Sequence, residues 1–312
     1  MKKSVFITGI HGFLGTWCAS HFSASGFNVI GIGRPAAENK KHPHPGNGIL
    51  SGCIDGDITT AILDAAVERH GLPLALIHCA GGSSVGFSYE NPKEDFLRTV
   101  ASTVEVLEFS RKHAASVRIV YPSSAAVYGV PERLPISEDS PCLPVSPYGR
   151  HKYMAEQICR SYATEWKIPI AIIRFFSLYG EGLGKQLLWD ACHKAMRGEF
   201  SFFGAGNEIR DWLSIRDAVR LIALAVDHAA PDCPVSNGGT GQGMSVKDML
   251  TEIGRFFHPD ISPSFSGKSK PGDPPEQVAD ISRARNWGFT PLVKIQSGIA
   301  SYVEWFRKEF ER

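Results

Sequence analysis

Tyr148 and Lys152 stand four positions apart in Ser-Pro-Tyr-Gly-Arg-His-Lys, and Ser124 lies upstream in Pro-Ser-Ser-Ala-Ala. Residues four apart share one face of a helix. An ammonium held beside a phenol favours the phenolate, so this spacing predicts a tyrosine whose pKa falls towards working pH. Such a tyrosine exchanges a proton with a carbonyl or an alcohol. A Tyr-x-x-x-Lys pattern alone is weak, and the rest of the chain must supply a partner for it.

A second cluster, Thr8-Gly9-Ile10-His11-Gly12-Phe13-Leu14-Gly15, follows the apolar run Val5-Phe6-Ile7 and precedes a helical stretch through Thr16–Ser23. Between a first strand and a first helix, these glycines predict a dinucleotide loop. Gly9 permits the tight turn, Gly12 lets backbone approach a pyrophosphate, and Gly15 allows close helix packing, with the helix N-terminus facing the phosphates. The second strand ends Gly31-Ile32-Gly33-Arg34, with glycine where an acid would bind a ribose 2′-hydroxyl. A guanidinium matches phosphate geometry, so Arg34 favours NADP(H) over NAD(H), which stays as the alternative. Asp57, before Ile58, is read either as an acceptor for the adenine amino group or as a helix N-cap.

The elements that must position these residues alternate. Val5–Ile7, Asn28–Ile32, Leu74–His78, Arg118–Tyr121 and Ile170–Arg174 read as buried strands, each separated by room for a helix. That pattern predicts an α/β chain with a Rossmann-type, doubly wound parallel sheet covered on both faces. Long helices are expected over Thr99–His113 and Tyr148–Trp166. The pattern changes near residue 178, which divides the chain into a dinucleotide-binding domain (1–178, with a returning segment near 212–240) and a smaller α/β substrate-binding domain (mostly 179–312). The apolar stripe Ile299, Val303, Phe306, Phe310 reads as core packing of a last helix. His42 and His44 lack a further ligand cluster, so no metal site is expected.

With 312 residues, 43% hydrophobic and 21% charged, the chain has the composition expected of a soluble globular protein of one large or two small domains. A net charge of +1 gives no sign of a nucleic-acid or membrane surface. The seven cysteines are scattered, which argues for a reducing, cytoplasmic setting rather than a disulfide framework.

Taken together the motifs resemble the extended short-chain dehydrogenase/reductase superfamily, in its nucleotide-sugar epimerase, dehydratase and reductase branch. The likeness runs almost end to end. It rests on the Thr-Gly-x-x-Gly-Phe-x-Gly loop, His78-Cys79-Ala80, Pro122–Gly129, Tyr148-x-x-x-Lys152, Arg174–Gly180 and Arg210-Asp211-Trp212. The resemblance implies that Tyr148 is the proton donor or acceptor at the sugar oxygen. Lys152 would bind the nicotinamide ribose and depress the tyrosine's pKa, and Ser124 would bond the same sugar oxygen. Cofactor contacts are expected from Gly9, His11, Gly12, Phe13, Leu14, Gly15, Arg34, Asp57, Ile58, Cys79 and Ala80, besides Tyr148 and Lys152. Substrate contacts are expected from Ser124, Ser177, Phe203, Arg210 and Lys270. The partner implied is a nucleotide-diphosphate sugar, and the assembly implied is a homodimer through two long helices per subunit.

Departures from the family narrow the reaction. Sugar 4,6-dehydratases carry an acidic pair where this chain has Ala125 and Ala126, which cannot move a proton. No cysteine flanks Ser124; the nearest, Cys142, lies in a Pro-rich loop. Thr99 and Ser177 replace asparagines common in the family, which leaves the substrate open. The reading favoured by Arg34 and the missing acids is an NADPH-dependent reductase of a 4-keto sugar nucleotide. The alternative is a UDP-hexose-type 4-epimerase with tightly bound NAD. A non-catalytic dinucleotide sensor and a reductase of small uncharged carbonyl compounds are the remaining readings.

Overall fold

A computed structural model describes residues 2–35, 49–82, 84–113, 116–268 and 274–310. The strands are β1 (Ser4–Thr8), β2 (Asn28–Gly33), β3 (Gly52–Asp55), β4 (Ala75–His78), β5 (Arg118–Ser124), β6 (Ile170–Phe175), β7 (Ser177–Tyr179), β8 (Ser201–Phe202), β9 (Ile209–Ser214), β10 (Val235–Gly238), β11 (Gly243–Ser245), β12 (Ser264–Phe265) and β13 (Glu276–Gln277). Seven of them form a sheet in the order β10-β6-β5-β4-β1-β2-β3, and every pairing in it is parallel. The order reverses between β1 and β4, and a crevice opens at the carboxyl ends of strands at such a switch point. Gly9 follows β1 there and Ala80 follows β4. Smaller pairings join β7, β11 and β13 to β9, and β12 to β8.

The near-continuous apolar strands are explained by burial on both faces. Val5, Ile7, Val120 and Ile173 point to one side, against Cys18, Ala19 and Phe22 of the helix Phe13–Ala24 and Leu221, Ile222 and Ala225 of the helix Ile215–His228. Phe6, Ile30, Leu76 and Ile119 point to the other, against residues of the helices Thr60–His70, Ser102–Lys112 and Pro147–Trp166. A third cluster gathers Leu188, Phe200, Met249 and Tyr302 with Ile299, Val303 and Phe306 of the last helix, Ile295–Phe310. Phe310, read with that stripe, is exposed but stacks on Phe306 at 4.6 Å.

Element boundaries mostly shift by a residue or two from the periodicity, with two larger differences. The helix expected over Thr99–His113 opens as a π-helical turn, Leu97–Ala101, before the α-helix Ser102–Lys112. β5 runs on through Pro122 to Ser124, so the serine is held by the sheet rather than by a loop. No helix among the described residues is long and apolar enough to cross a membrane. All seven cysteines are free.

Candidate active site

Ser124 is the last residue of β5 and caps the 3₁₀ turn Ala125–Val127, its hydroxyl accepting from the Ala126 N–H at 3.2 Å. The helix Pro147–Trp166 starts with Ser146, whose hydroxyl accepts from the Gly149 N–H at 3.1 Å, and with Pro147 in its first turn. Both choices favour a helix start at that point. A Cβ on Gly149 would lie 2.6 Å from the Ala126 carbonyl oxygen. Only glycine lets the first helical turn sit this close to the turn after Ser124, and that contact brings Tyr148 to Ser124.

Lys152, one turn further and 6% exposed, donates from Nζ to the Pro122 carbonyl at 2.9 Å and lies 5.0 Å over the Tyr121 ring. Burial lowers its ammonium to about 8 against the upward pull of neighbouring Cys79, Asp95 and Glu156. The expectation for Tyr148 is corrected here. Burial pushes the phenol up, a hydrogen bond with Ser124 pulls it back, and the Asp95 charge pushes it up again. The lysine's charge is directed at the Pro122 carbonyl, so in the protein alone desolvation outweighs any help it gives the phenolate.

The glycine loop fits a dinucleotide. Gly9 has φ +65°, and a Cβ on it would stand 2.6 Å from the Ala80 nitrogen. Gly12 donates to the Gly9 carbonyl at 2.9 Å, and a Cβ on Gly15 would collide with that same oxygen. The helix Phe13–Ala24 opens on Gly12 with no side-chain cap and no acid in its first turn. Its leading N–H groups and dipole therefore suit an anion. His78 is held between Thr8 Oγ1 at 2.7 Å and Ser102 Oγ at 3.3 Å, and burial keeps it neutral, its pKa lowered to about 3. Cys79 and Ala80 follow, with the Ala80 N–H donating to Thr8 Oγ1 at 3.3 Å.

Two cofactor expectations acquire a setting. Arg34, read as a phosphate ligand, pairs with Asp57 at 3.0 Å and with Glu94 at 3.5 Å. Asp57 is not a helix N-cap: Thr59 takes that place, accepting from the Ile62 N–H. His11 lies 3.6 Å from Asp55 at the end of β3. His11, Cys53 and Asp55 present donor atoms within 4.8 Å of one another, a grouping of metal-ligand types that the spacing of His42 and His44 did not suggest. His42 and His44 themselves fall outside the described residues.

Of the expected substrate contacts, Ser177 and Arg210 are brought onto neighbouring strands, since Ser177 of β7 pairs with Trp212 of β9. Arg210 donates to the carbonyls of Ile209 at 2.8 Å and Pro275 at 3.4 Å. Phe203 is exposed, before Gly204 at φ +110°. Lys270 lies outside the described residues. Asp211 is structural: its buried carboxylate accepts from Thr240 and from the N–H groups of Gly241 and Ala279.

Sequence reasoning missed the buried support of this site. Glu156 accepts from Ser123 Oγ at 2.5 Å and from Arg174 Nη2 at 2.7 Å, one turn beyond Lys152 on the same helix. Asp95 pairs with His151 at 2.6 Å. The one available signal for Glu156 was an acid on the apolar face of a helix. Asp95 sits in a charged stretch and gave none.

With this geometry in hand, comparison with known proteins places the chain. The model of the NAD dependent epimerase/dehydratase family matches residues 5–235, and the chain belongs to that family. It is 28% identical to the UDP-glucose 4-epimerase of Azospirillum brasilense, across 97% of this chain and 92% of that one. Two solved structures align closely. The UDP-glucose 4-epimerase of Thermotoga maritima with UDP-glucose has a TM-score of 0.88 at 25% identity, covering 98% of this chain and 99% of that one. The UDP-glucose 4-epimerase of Brucella ovis in complex with NAD has a TM-score of 0.85 at 27% identity, covering 97% and 98%.

Proposed function

We propose that the chain is a nucleotide-sugar 4-epimerase of the UDP-hexose type that works with NAD. The observation that carries this is the convergence of Ser124, Tyr148 and Lys152 at the carboxyl ends of the central strands, beside a glycine loop built for a pyrophosphate. The relatives named above, all UDP-glucose 4-epimerases, support it over the reductase favoured by sequence. Arg34 also pairs with Asp57 and Glu94, whose carboxylates would repel a 2′-phosphate, which weighs against NADPH.

In this reading Gly9, Gly12 and Gly15 admit the pyrophosphate to the N-terminus of the helix Phe13–Ala24. A bound nicotinamide supplies a hydride acceptor that can later return what it takes. Tyr148 would remove the proton from the sugar C4 hydroxyl as hydride leaves C4, and would return it to the same oxygen when hydride comes back to the opposite face of C4. Ser124 bonds the same oxygen and steadies the charge that develops on it. Lys152 holds the ribose and keeps a positive charge beside the reacting atoms. Arg210 and Ser177 serve the sugar nucleotide's diphosphate, with Phe203 against the base. Residues 1–178, with 212–240 returning, hold the dinucleotide, and 179–312 mostly the sugar nucleotide. A homodimer through the helices Ser102–Lys112 and Pro147–Trp166 completes the reading.

The test is incubation with UDP-glucose or UDP-galactose and analysis of the sugars formed. Interconversion with no net change in nicotinamide absorbance is expected. Stoichiometric consumption of NADPH with a keto-sugar nucleotide would restore the reductase.

A further inference from the structure

Beside the Tyr148–Lys152 face lies a buried hydrogen-bonded pair that the proposed mechanism does not use. Asp95, in the short helix Pro92–Phe96, is completely buried, and its Oδ2 lies 2.6 Å from His151 Nδ1. His151 immediately precedes Lys152 in the sequence, and its ring meets Phe96 edge-on at 5.6 Å. Asp95 Oδ1 has no hydrogen-bond partner among the described residues. It is aimed at the Gly81-Gly82 turn, where a Cβ on Gly82 would collide with it. The same turn approaches the reacting face: a Cβ on Gly81 would be 3.5 Å from Lys152 Nζ. Thr99 anchors the turn by accepting from the Gly82 N–H at 2.8 Å.

A buried carboxyl with one oxygen unsatisfied carries a desolvation cost that no partner among the described residues offsets. The fold accepts that cost next to the two groups proposed to do the chemistry. We propose that Asp95 is a positioning residue for the reaction, its buried carboxyl acting across the Gly81-Gly82 turn on Lys152 and Tyr148 while His151 holds it in place. The proposal rests on the epimerase reading for what the two groups do, but not for the electrostatic link itself.

The groups facing Lys152 are Cys79 after β4, Tyr121 on β5, Glu156 and Cys159 on its own helix, Asp95, and His78 on β4. Those facing Tyr148 are Ser124, Asp95 and Tyr121. Burial is the largest influence on both, and the carboxylate then raises both, keeping Lys152 cationic at neutral pH while making the phenol harder to ionise. Asp95→Asn, which keeps the shape and loses the charge, therefore lowers both together. The whole bell of kcat/KM against pH moves to lower pH, a result that a merely structural residue would not give.

The decisive measurement needs no substrate. Lys152 is followed by ¹⁵N-lysine NMR across pH, its signal assigned by its loss in Lys152→Arg. In Asp95→Asn the Lys152 midpoint is expected to fall by roughly half a pH unit or more. Any shift caused by His151→Phe is expected to vanish in the Asp95→Asn background, since both act along one path. An unchanged midpoint overturns the proposal. So does failure of both Asp95→Asn and Asp95→Ala to fold, because the residue would then be structural. If the parent chain fails to interconvert UDP-sugars while the NMR shift is present, the epimerase reading falls and the electrostatic link stands.

Discussion

The Lys152 ammonium donates to the carbonyl oxygen of Pro122 at 2.9 Å, two residues before Ser124 on the same strand. One hydrogen bond thus ties the lysine's helix to the strand that carries the serine. It holds a cation in a buried place, and burial lowers that cation's pKa to about 8 from an ordinary value of 10.5. The unfolded chain binds the proton more readily between those values. The stability penalty is therefore absent above the unfolded pKa, grows as pH falls towards the folded one, and is complete at pH 7. Lys152→Met is expected to raise stability at pH 7 by about 1–3 kcal/mol, the low end reflecting the lost bond to Pro122. Turnover should be lost in the same variant. Chemical denaturation at pH 7 and at a pH above 10 checks the sign, since the gain should shrink at the higher pH.

Tyr148→Phe removes the group proposed to move the C4 proton. Its backbone N–H, which donates to Ser88 Oγ at 3.0 Å, is untouched, so the helix start is expected to remain. Activity should fall by about 10²–10⁴-fold. NAD affinity, read by calorimetry, should change far less. A tenfold or smaller loss of activity would mean that another group carries the proton.

Gly15→Ala tests the cofactor loop. The added methyl would meet the Gly9 carbonyl oxygen, which is backbone and cannot rotate away. Strain of about 1–3 kcal/mol is expected, together with weaker NAD binding. A thermal melt with and without NAD separates the two effects, because NAD should stabilise the variant less than the parent.

Glu156→Gln strips the counter-charge from Arg174. The pair is buried, with the guanidinium bonded through Nε and Nη2 and stacked 4.8 Å from the Tyr128 ring. Removing one partner of a buried ion pair costs about 3–5 kcal/mol, because the other charge stays desolvated. Denaturant unfolding should show that loss. A change below about 1 kcal/mol would mean that water reaches Arg174.

Acid should find the chain's weak point at His78, which burial keeps neutral with a pKa near 3. The unfolded histidine takes up a proton near its ordinary value of 6.5. Its contribution to stability is thus intact above that value and is lost progressively as pH falls towards about 3. His78→Gln is expected to flatten the pH dependence of unfolding across that window.

Much of the scaffold was legible because a buried parallel strand announces itself by an unbroken apolar run. β1, β2, β4, β5 and β6 all did so. β3 did not, for Gly52–Asp55 sits at the sheet edge and alternates between half-buried and exposed. β10 was hidden because Val235–Gly238 is short and mostly polar, with Ser236 and Asn237 buried only because other elements cover them. Asn237 reaches Tyr128 and Ile136, about a hundred positions away, and no local pattern encodes such bonds.

The chain's own order determined which groups meet: a four-residue spacing on a helix sets Tyr148 beside Lys152, and glycines between a strand and a helix make the loop. Local geometry fixes those outcomes wherever the chain is placed. Charge and solvation were decided only by the tertiary structure. Arg34 reads in sequence as a lone loop guanidinium, and only folding brings Asp57 and Glu94 to it across space. The tyrosine looked acidic until burial pushed its phenol the other way, with Asp95 brought beside it from 53 positions upstream. The reason is physical: burial and field depend on every neighbour within several ångströms, and only folding decides who those neighbours are.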